Sequence, residues 1–202
     1  VLGEAAWPPR WEVWAYHNFQ AEQTFRVAGV EMGNSLETFV ANSQAYQARL
    51  LRFAIETYRR AKGKVTGYFQ FMFVEPWEGI TWAVVEADRT PKAGYYALKE
   101  ASSPVLLSLV PYREVTEVGQ PPLSEVCLIN DLDRSLDVCV VLRLEGPVSG
   151  VLGELRACLA AQEARCLFNL AEGYEAPPGE GEWLTRAAQF LRTLTPGAYR
   201  VV

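Results

Sequence analysis

The sequence predicts an α+β chain in two parts: the last βα units of a TIM (β/α)8 barrel over residues 1–104, then an immunoglobulin-like β-sandwich over residues 105–202. Three observations carry this expectation. A long helical period is followed directly by a nearly continuous apolar run. A second helical stretch, opened by a proline, comes soon after that run. From Val105 onward the helical periods give way to short β-like runs separated by Gly, Pro, Asn and Asp.

The long helix is predicted over 36–62. Asn34-Ser35 followed by Glu37 is an N-cap signal, because a short polar side chain there satisfies an unbonded backbone N–H of the first turn. Leu36, Phe39, Val40, Tyr46, Leu50, Phe53, Ala54 and Tyr58 then recur at helical spacing, and Gly63 supplies the stop. A helix of about seven turns needs a substantial partner surface to cover such a stripe. The run Val65-Thr66-Gly67-Tyr68-Phe69-Gln70-Phe71-Met72-Phe73-Val74 reads as a strand buried on both faces, with Phe69 and Phe71 filling a barrel. A second strand is expected over 81–85 and a helix over 91–101, with Pro91 in its first turn. Helix, buried strand, loop and helix form the closing pattern of an α/β barrel, and a whole barrel takes roughly 250 residues.

In the second part, strands are expected over 105–110, 125–129, 138–144 and 164–170. Asn130-Asp131-Leu132-Asp133 and Glu145-Gly146-Pro147 serve as turns between them. Strands at this spacing suggest a sandwich of immunoglobulin type. A loop is expected at 177–181 and a further strand over 183–194.

Composition narrows the function. The net charge is -5, and the one dense basic run, Arg59-Arg60-Ala61-Lys62, falls at a predicted helix end, where cations suit the helix dipole. Nucleic acid is therefore not an expected partner. No apolar run reaches the roughly 18 to 20 residues that span a bilayer, and no membrane partner is expected. Val1-Leu2-Gly3-Glu4-Ala5 does not read as a signal peptide and, with no starting methionine, is read as a cut end. Cys127, Cys139, Cys158 and Cys166 form no CxxC pair and His17 is far away in sequence, so neither a zinc site nor any other metal or cofactor is expected. Structural thiols are the first reading, which favours the cytoplasm, and a Cys158–Cys166 disulfide is the alternative.

One stretch makes the chain recognisable. It runs Gly67-Tyr68-Phe69-Gln70-Phe71-Met72-Phe73-Val74-Glu75-Pro76-Trp77, then Ile80-Thr81-Trp82-Ala83-Val84-Val85-Glu86. Pro91-Lys92-Ala93-Gly94-Tyr95-Tyr96-Ala97-Leu98 and Pro104-Val105-Leu106-Leu107-Ser108 follow. This resembles the segment that ends the barrel in family 2 glycoside hydrolases of the β-mannosidase type. Upstream, Trp14-Ala15-Tyr16-His17-Asn18 resembles that family's His-Asn region. Ser43-Gln44-Ala45-Tyr46-Gln47 and Ala54-Ile55-Glu56-Thr57-Tyr58-Arg59-Arg60 resemble its penultimate long helix. The agreement covers residues 11–110 in one order; beyond Asp133 only sandwich texture remains. Where the family often has Trp, Asn and Asp, this chain has Phe71, Val74 and Glu75, while Trp77 is retained.

The resemblance implies a C-terminal portion of a retaining exo-glycosidase for terminal β-linked sugars, β-mannosides first. Such enzymes use two carboxyl groups about 5 to 5.5 Å apart, as nucleophile and acid/base. Both family glutamates fall upstream of the stretch matched here, so no catalytic residue is assigned. Glu4, which follows Gly3 outside the family's Ser-Glu context, is read as a solvated loop residue. Glu78 is read as a surface residue and Glu86 as structural. Trp77, Glu75 and His17 are the expected substrate-binding residues, because an aromatic platform beside a carboxylate suits the C–H faces and polar rim of a sugar. Trp82 is expected to pack in the core beneath Trp77. The expected partners are a carbohydrate substrate, the missing N-terminal part of the same enzyme, and further copies of the chain in a dimer or larger species. The alternative function is a non-catalytic carbohydrate-binding or interaction module.

Overall fold

The computed structural model describes residues 7–111, 117–118, 123–169, 194, 197 and 200–201. Its element order is α1 (Trp11–Tyr16), a π-helical turn (Glu22–Val27), α2 (Leu36–Arg60), α3 (Ala93–Ala101), then β1 (Val105–Pro111), β2 (Leu123–Asn130), β3 (Leu136–Glu145), β4 (Gly150–Leu159), β5 (Ala164–Asn169) and β6 (Arg200–Val201). It divides into two compact units, Val1–Tyr58 with Gly63–Ser103, and Arg59–Lys62 with Pro104–Val202. Among the described residues no helix is long and apolar enough to cross a membrane. Glu4, the loop at 177–181 and the strand expected at 183–194 lie outside the described residues.

The first unit is built around aromatic rings. Trp11 and Trp14, one turn apart on α1, meet edge to face at 5.5 Å. Phe19 stacks on Trp11 at 5.4 Å. Trp14, Phe19, Val30 and Phe39 are buried, with Trp7, Trp11, Phe25 and Leu36 packed against them. The predicted cap of α2 forms: Thr38 N donates to Ser35 Oγ at 3.2 Å, a contact worth about 1 kcal/mol. Gly63, past its other end, takes φ +89, a conformation that L side chains rarely adopt.

The strands expected at 65–74 and 81–85 are not formed. Isolated bridges alone appear there, among them Val74 with Val85 and Val85 with Pro91. Phe69 is 99% exposed and Phe71 72%, so neither is packed in a core among the described residues. A strand needs hydrogen-bonded neighbours along its edges, and the described residues supply this run with isolated bridges alone. Trp82, expected in the core, is half exposed, and its ring lies 6.0 Å from Phe71. Val40, Leu50, Phe53 and Tyr58 of α2 are likewise exposed.

Among the described residues, the second unit holds two antiparallel three-stranded sheets, ordered β1-β2-β5 and β4-β3-β6. Val126, Leu128 and Leu167 from one sheet and Val140, Leu142, Leu144, Leu152 and Leu159 from the other form one core. Full burial of each large aliphatic side chain contributes roughly 1.5–3 kcal/mol. Four of these strands fall where the sequence places them. β4 was not anticipated: Gly150 and Gly153 interrupt its pattern, yet it pairs with β3 from Leu159 to Gly150. The Asn130-Asp131 pair ends β2 as expected. Asn130 is fully buried; its Nδ2 donates to the carbonyls of Arg134 and Ala160, each at 2.8 Å, and its Oδ1 accepts from Leu132 N.

None of the described cysteines is in a disulfide, so the Cys158–Cys166 alternative is not realised. Cys127 is buried, while Cys139, Cys158 and Cys166 are exposed. Burial pushes the Cys127 thiol well up, and Cys166 and Glu125 beside it push the same way.

Candidate functional site

The loop between Glu75 and Thr81 is held from both sides. Glu75 N donates to Val85 O at 2.9 Å and Lys92 N to Val84 O at 2.9 Å, which brings the loop's two ends and the start of α3 together. His17, just after α1, pins the loop's far side. Its carbonyl accepts Ile80 N at 2.7 Å. Its Nδ1 lies 2.6 Å from Glu78 O; a carbonyl only accepts, so Nδ1 carries the proton there and donates.

These anchors fix Trp77. Its indole stacks on the His17 imidazole, with centroids 5.0 Å apart and planes 21° from parallel. Tyr16 meets the same indole edge-on at 6.2 Å. Trp77 is 45% exposed and Tyr16 77%, whereas His17 is buried. The result is an aromatic platform facing solvent, backed by an imidazole whose orientation is locked. Tyr16 lies within the stretch that carries the family resemblance, and only the fold brings it to Trp77.

Glu75 does not stand in that wall. Its side chain is fully enclosed, and Oε1 receives Thr81 Oγ1 at 2.7 Å, Thr81 N at 3.3 Å and Lys92 Nζ at 3.1 Å. Oε2 is buried and accepts no hydrogen bond. Of the three expected substrate-binding residues, Glu75 is thus the one whose carboxylate is enclosed in this chain. Glu75 acts from beneath, tying both ends of the loop to Lys92. The Pro-Lys of the recognised stretch supplies that partner, a signal that was visible in the sequence but not tied to Glu75.

Glu86, read as structural, closes a turn: its N–H donates to Thr90 O, and its carboxylate lies 3.6 Å from Lys92 Nζ. Partial burial holds its carboxyl above the usual range, with Lys92 opposing that and Glu75 adding to it. Lys92 thus stands between two carboxylates. Gln47 on α2 completes the frame, donating through Nε2 to the carbonyls of Trp82 and Ala83 at 3.0 and 3.2 Å. An open groove of about 470 Å³ runs nearby, lined by Leu36, Phe39, Ile80 and Trp82 among others; its lining includes none of Trp77, Glu75 and His17.

No protein-family profile matches the sequence. Among curated proteins, the chain is 27% identical over 138 residues to β-mannosidase B of Aspergillus niger, a match covering 66% of this chain and 15% of that protein. Among solved structures, a β-D-mannosidase from Dictyoglomus thermophilum aligns with a TM-score of 0.60 and 18% identity, over 78% of this chain and 20% of its own. An exo-chitosanase from Amycolatopsis orientalis aligns with a TM-score of 0.54 and 17% identity, over 68% of this chain and 16% of its own. The chain therefore spans about a sixth of the curated relative's length. The resemblance to the C-terminal part of family 2 glycoside hydrolases of the β-mannosidase type is borne out, and the fold is the mixed α+β arrangement of such proteins.

Proposed function

We propose that this chain is the C-terminal portion of a retaining exo-glycosidase that hydrolyses terminal β-linked sugars, β-mannosides first. Residues 1–104 contribute the last βα units of a (β/α)8 barrel and residues 105–202 an immunoglobulin-like support domain. The observation that carries this reading is the Trp77 platform. It sits just past the Val74–Val85 bridge, the position where the C-terminal end of a barrel strand would place function. A half-exposed indole with a fixed tilt offers a sugar's C–H face a flat, preorganised contact. The apolar but exposed Phe69, Phe71, Phe73, Leu50 and Phe53 support the same reading, as surface that a fuller barrel would cover.

On this reading the two catalytic carboxylates come from the rest of the parent enzyme. Trp77 orients the sugar, His17 holds Trp77, and Glu75 holds the loop through Lys92. General-acid protonation and covalent capture then occur on groups outside this chain.

The test is turnover. The 202-residue chain alone should hydrolyse no aryl β-mannoside, β-galactoside or β-glucuronide above the rate in buffer. Joining it to the upstream barrel segment should restore hydrolysis. Robust turnover by the isolated chain, abolished by Glu4→Gln or Glu75→Gln, would show that the catalytic pair is here. If the upstream coding sequence holds no Asn-Glu and later Ser-Glu, the binding-module reading replaces this one.

A further inference from the structure

The second unit carries a side-chain cluster that the glycosidase reading does not use. β2 and β5 are antiparallel neighbours, and Cys127 lies directly opposite Cys166 in their register. A register shift at this point leaves Leu167 without a partner on β2, the mark of a bulge, which re-aims side chains. Glu125, two residues before Cys127, projects from the same face of β2. Val126 and Leu128, between and after them, point into the sandwich core. One carboxylate oxygen and two sulfurs thereby converge: these atoms all lie within 4.8 Å of one another. Glu125 Oε2 and Cys127 Sγ are 3.9 Å apart.

We propose that Glu125, Cys127 and Cys166 bind a thiophilic divalent cation of the zinc class, bridging β2 to β5. Tetrahedral zinc with bonds of about 2.3 Å to sulfur and 2.0 Å to oxygen sets its ligand atoms about 3.5 to 3.8 Å apart. The observed spacing is wider by about 1 Å at most, within the reach of side-chain rotation about Cβ. Two sulfur ligands select a soft or borderline ion over magnesium or calcium. The charges also close. Two thiolates and a carboxylate carry three negative charges, the ion two positive, and Arg60 supplies one more. Its guanidinium is fixed nearby by donating to Ser108 Oγ at 2.7 Å, and Ser108 faces Cys127 from β1. Cys127 is buried while Cys166 is exposed, so the ion reaches the site from solvent and keeps an open fourth position for water. Cys139 and Cys158 are built differently: each thiol sits by one carboxylate on an exposed strand face, Glu154 and Asp137 respectively.

The sequence argued against zinc because the ligands share no local spacing. Cys127 and Cys166 come from strands that are not consecutive in the chain, and only sheet pairing brings them together.

The test uses the reduced 202-residue chain. Equilibrium dialysis should find one Zn²⁺ retained per chain. Co²⁺ in its place should give a thiolate-to-metal charge-transfer band, which zinc itself cannot show. Losing a direct ligand should weaken binding at least as much as losing an outer partner does, about 10- to 100-fold or more, in both Cys166→Ser and Glu125→Gln. Cys166 is exposed, so its variant tests the site even if Cys127→Ser fails to fold. Cys139→Ser and Cys158→Ser should bind as the parent does. Zn²⁺ should raise the melting temperature of the parent chain and not that of Cys166→Ser. Absence of stoichiometric binding, or a cobalt band that survives Cys166→Ser, overturns the proposal. So does isolation of a Cys127–Cys166 disulfide in place of the metal complex from chain kept with Zn²⁺ under air.

Discussion

The imidazole of His17 lies 5.0 Å beneath the indole of Trp77 and 21° from parallel to it, with Nδ1 held by Glu78 O at 2.6 Å. The two rings stand 60 positions apart in the sequence. One hydrogen bond sets the histidine, and the histidine sets the tilt of the tryptophan. Position and exposure are thus divided between two side chains, the buried one orienting the exposed one.

That division predicts how the two respond to substitution. In the complete parent enzyme, Trp77→Ala should cut turnover about 10- to 100-fold, the effect of losing about 1.4 to 2.8 kcal/mol of transition-state contact. Its melting temperature should change little, because nearly half of Trp77 already faces water. His17→Ala should cost stability as well as turnover, since it removes the anchor of the loop at Glu78 and Ile80 from beneath the ring. Steady-state kinetics and thermal melts on both variants check this. Unchanged turnover in Trp77→Ala would remove it from the site.

The Glu75–Lys92 pair predicts a large stability effect. Both side chains are almost wholly buried, at 0% and 9% exposure. Lys92→Met leaves the carboxylate of Glu75 enclosed without its cation, which costs about 3–5 kcal/mol. Adding Glu75→Gln to Lys92→Met should recover much of that loss, because the uncompensated charge goes with it. Urea unfolding of the single and double variants measures the coupling. Additive losses would show that the pair is not coupled.

Asp131 predicts an acid limb in the stability of the second unit. Burial by itself pushes its carboxyl up, but Lys62 and Arg59, the latter at 2.8 Å, outweigh burial and hold it below the usual range. A carboxyl lowered in the folded state stabilises above its unfolded value, about pH 4, and loses that contribution as pH falls through the folded value. Asp131 is 39% exposed, so the effect is reduced by solvent screening. Chemical denaturation from pH 7 to pH 3 should show a steeper loss in the parent chain than in Asp131→Asn. Equal slopes would remove Asp131 from the acid limb.

Gly94 predicts a packing effect at the start of α3. A Cβ there would lie 2.6 Å from Gln47 Oε1 and 3.2 Å from Leu51 Cδ1. Gln47 cannot swing away freely, because its Nε2 holds the carbonyls of Trp82 and Ala83. Gly94→Ala should therefore destabilise by about 1–3 kcal/mol, against the gain that alanine normally brings to a helix. A melting temperature equal to or above that of the parent chain would show that the contact relaxes at no cost.

The sequence by itself determined the elements whose signals are local. The Ser35 cap, the apolar period and Gly63 bracket α2 to within two residues of its observed end. Alternation and turn residues locate β1, β2, β3 and β5. The ordered run of motifs from Trp14 to Ser108 pointed to the family that the similar proteins bear out. Tertiary structure decided what depends on residues far apart in the chain. The run 65–74 has the composition of a buried strand, but burial needs neighbouring strands that composition cannot supply, and Phe69 stands exposed. Glu75 reads as a pocket carboxylate until folding brings Lys92 and Thr81 to it. Cys127 and Cys166 read as unrelated thiols until β2 pairs with β5. A local signal fixes φ, ψ and the face a side chain takes; which partner meets that face is set by chain topology, and it is the partner that decides charge, exposure and chemistry.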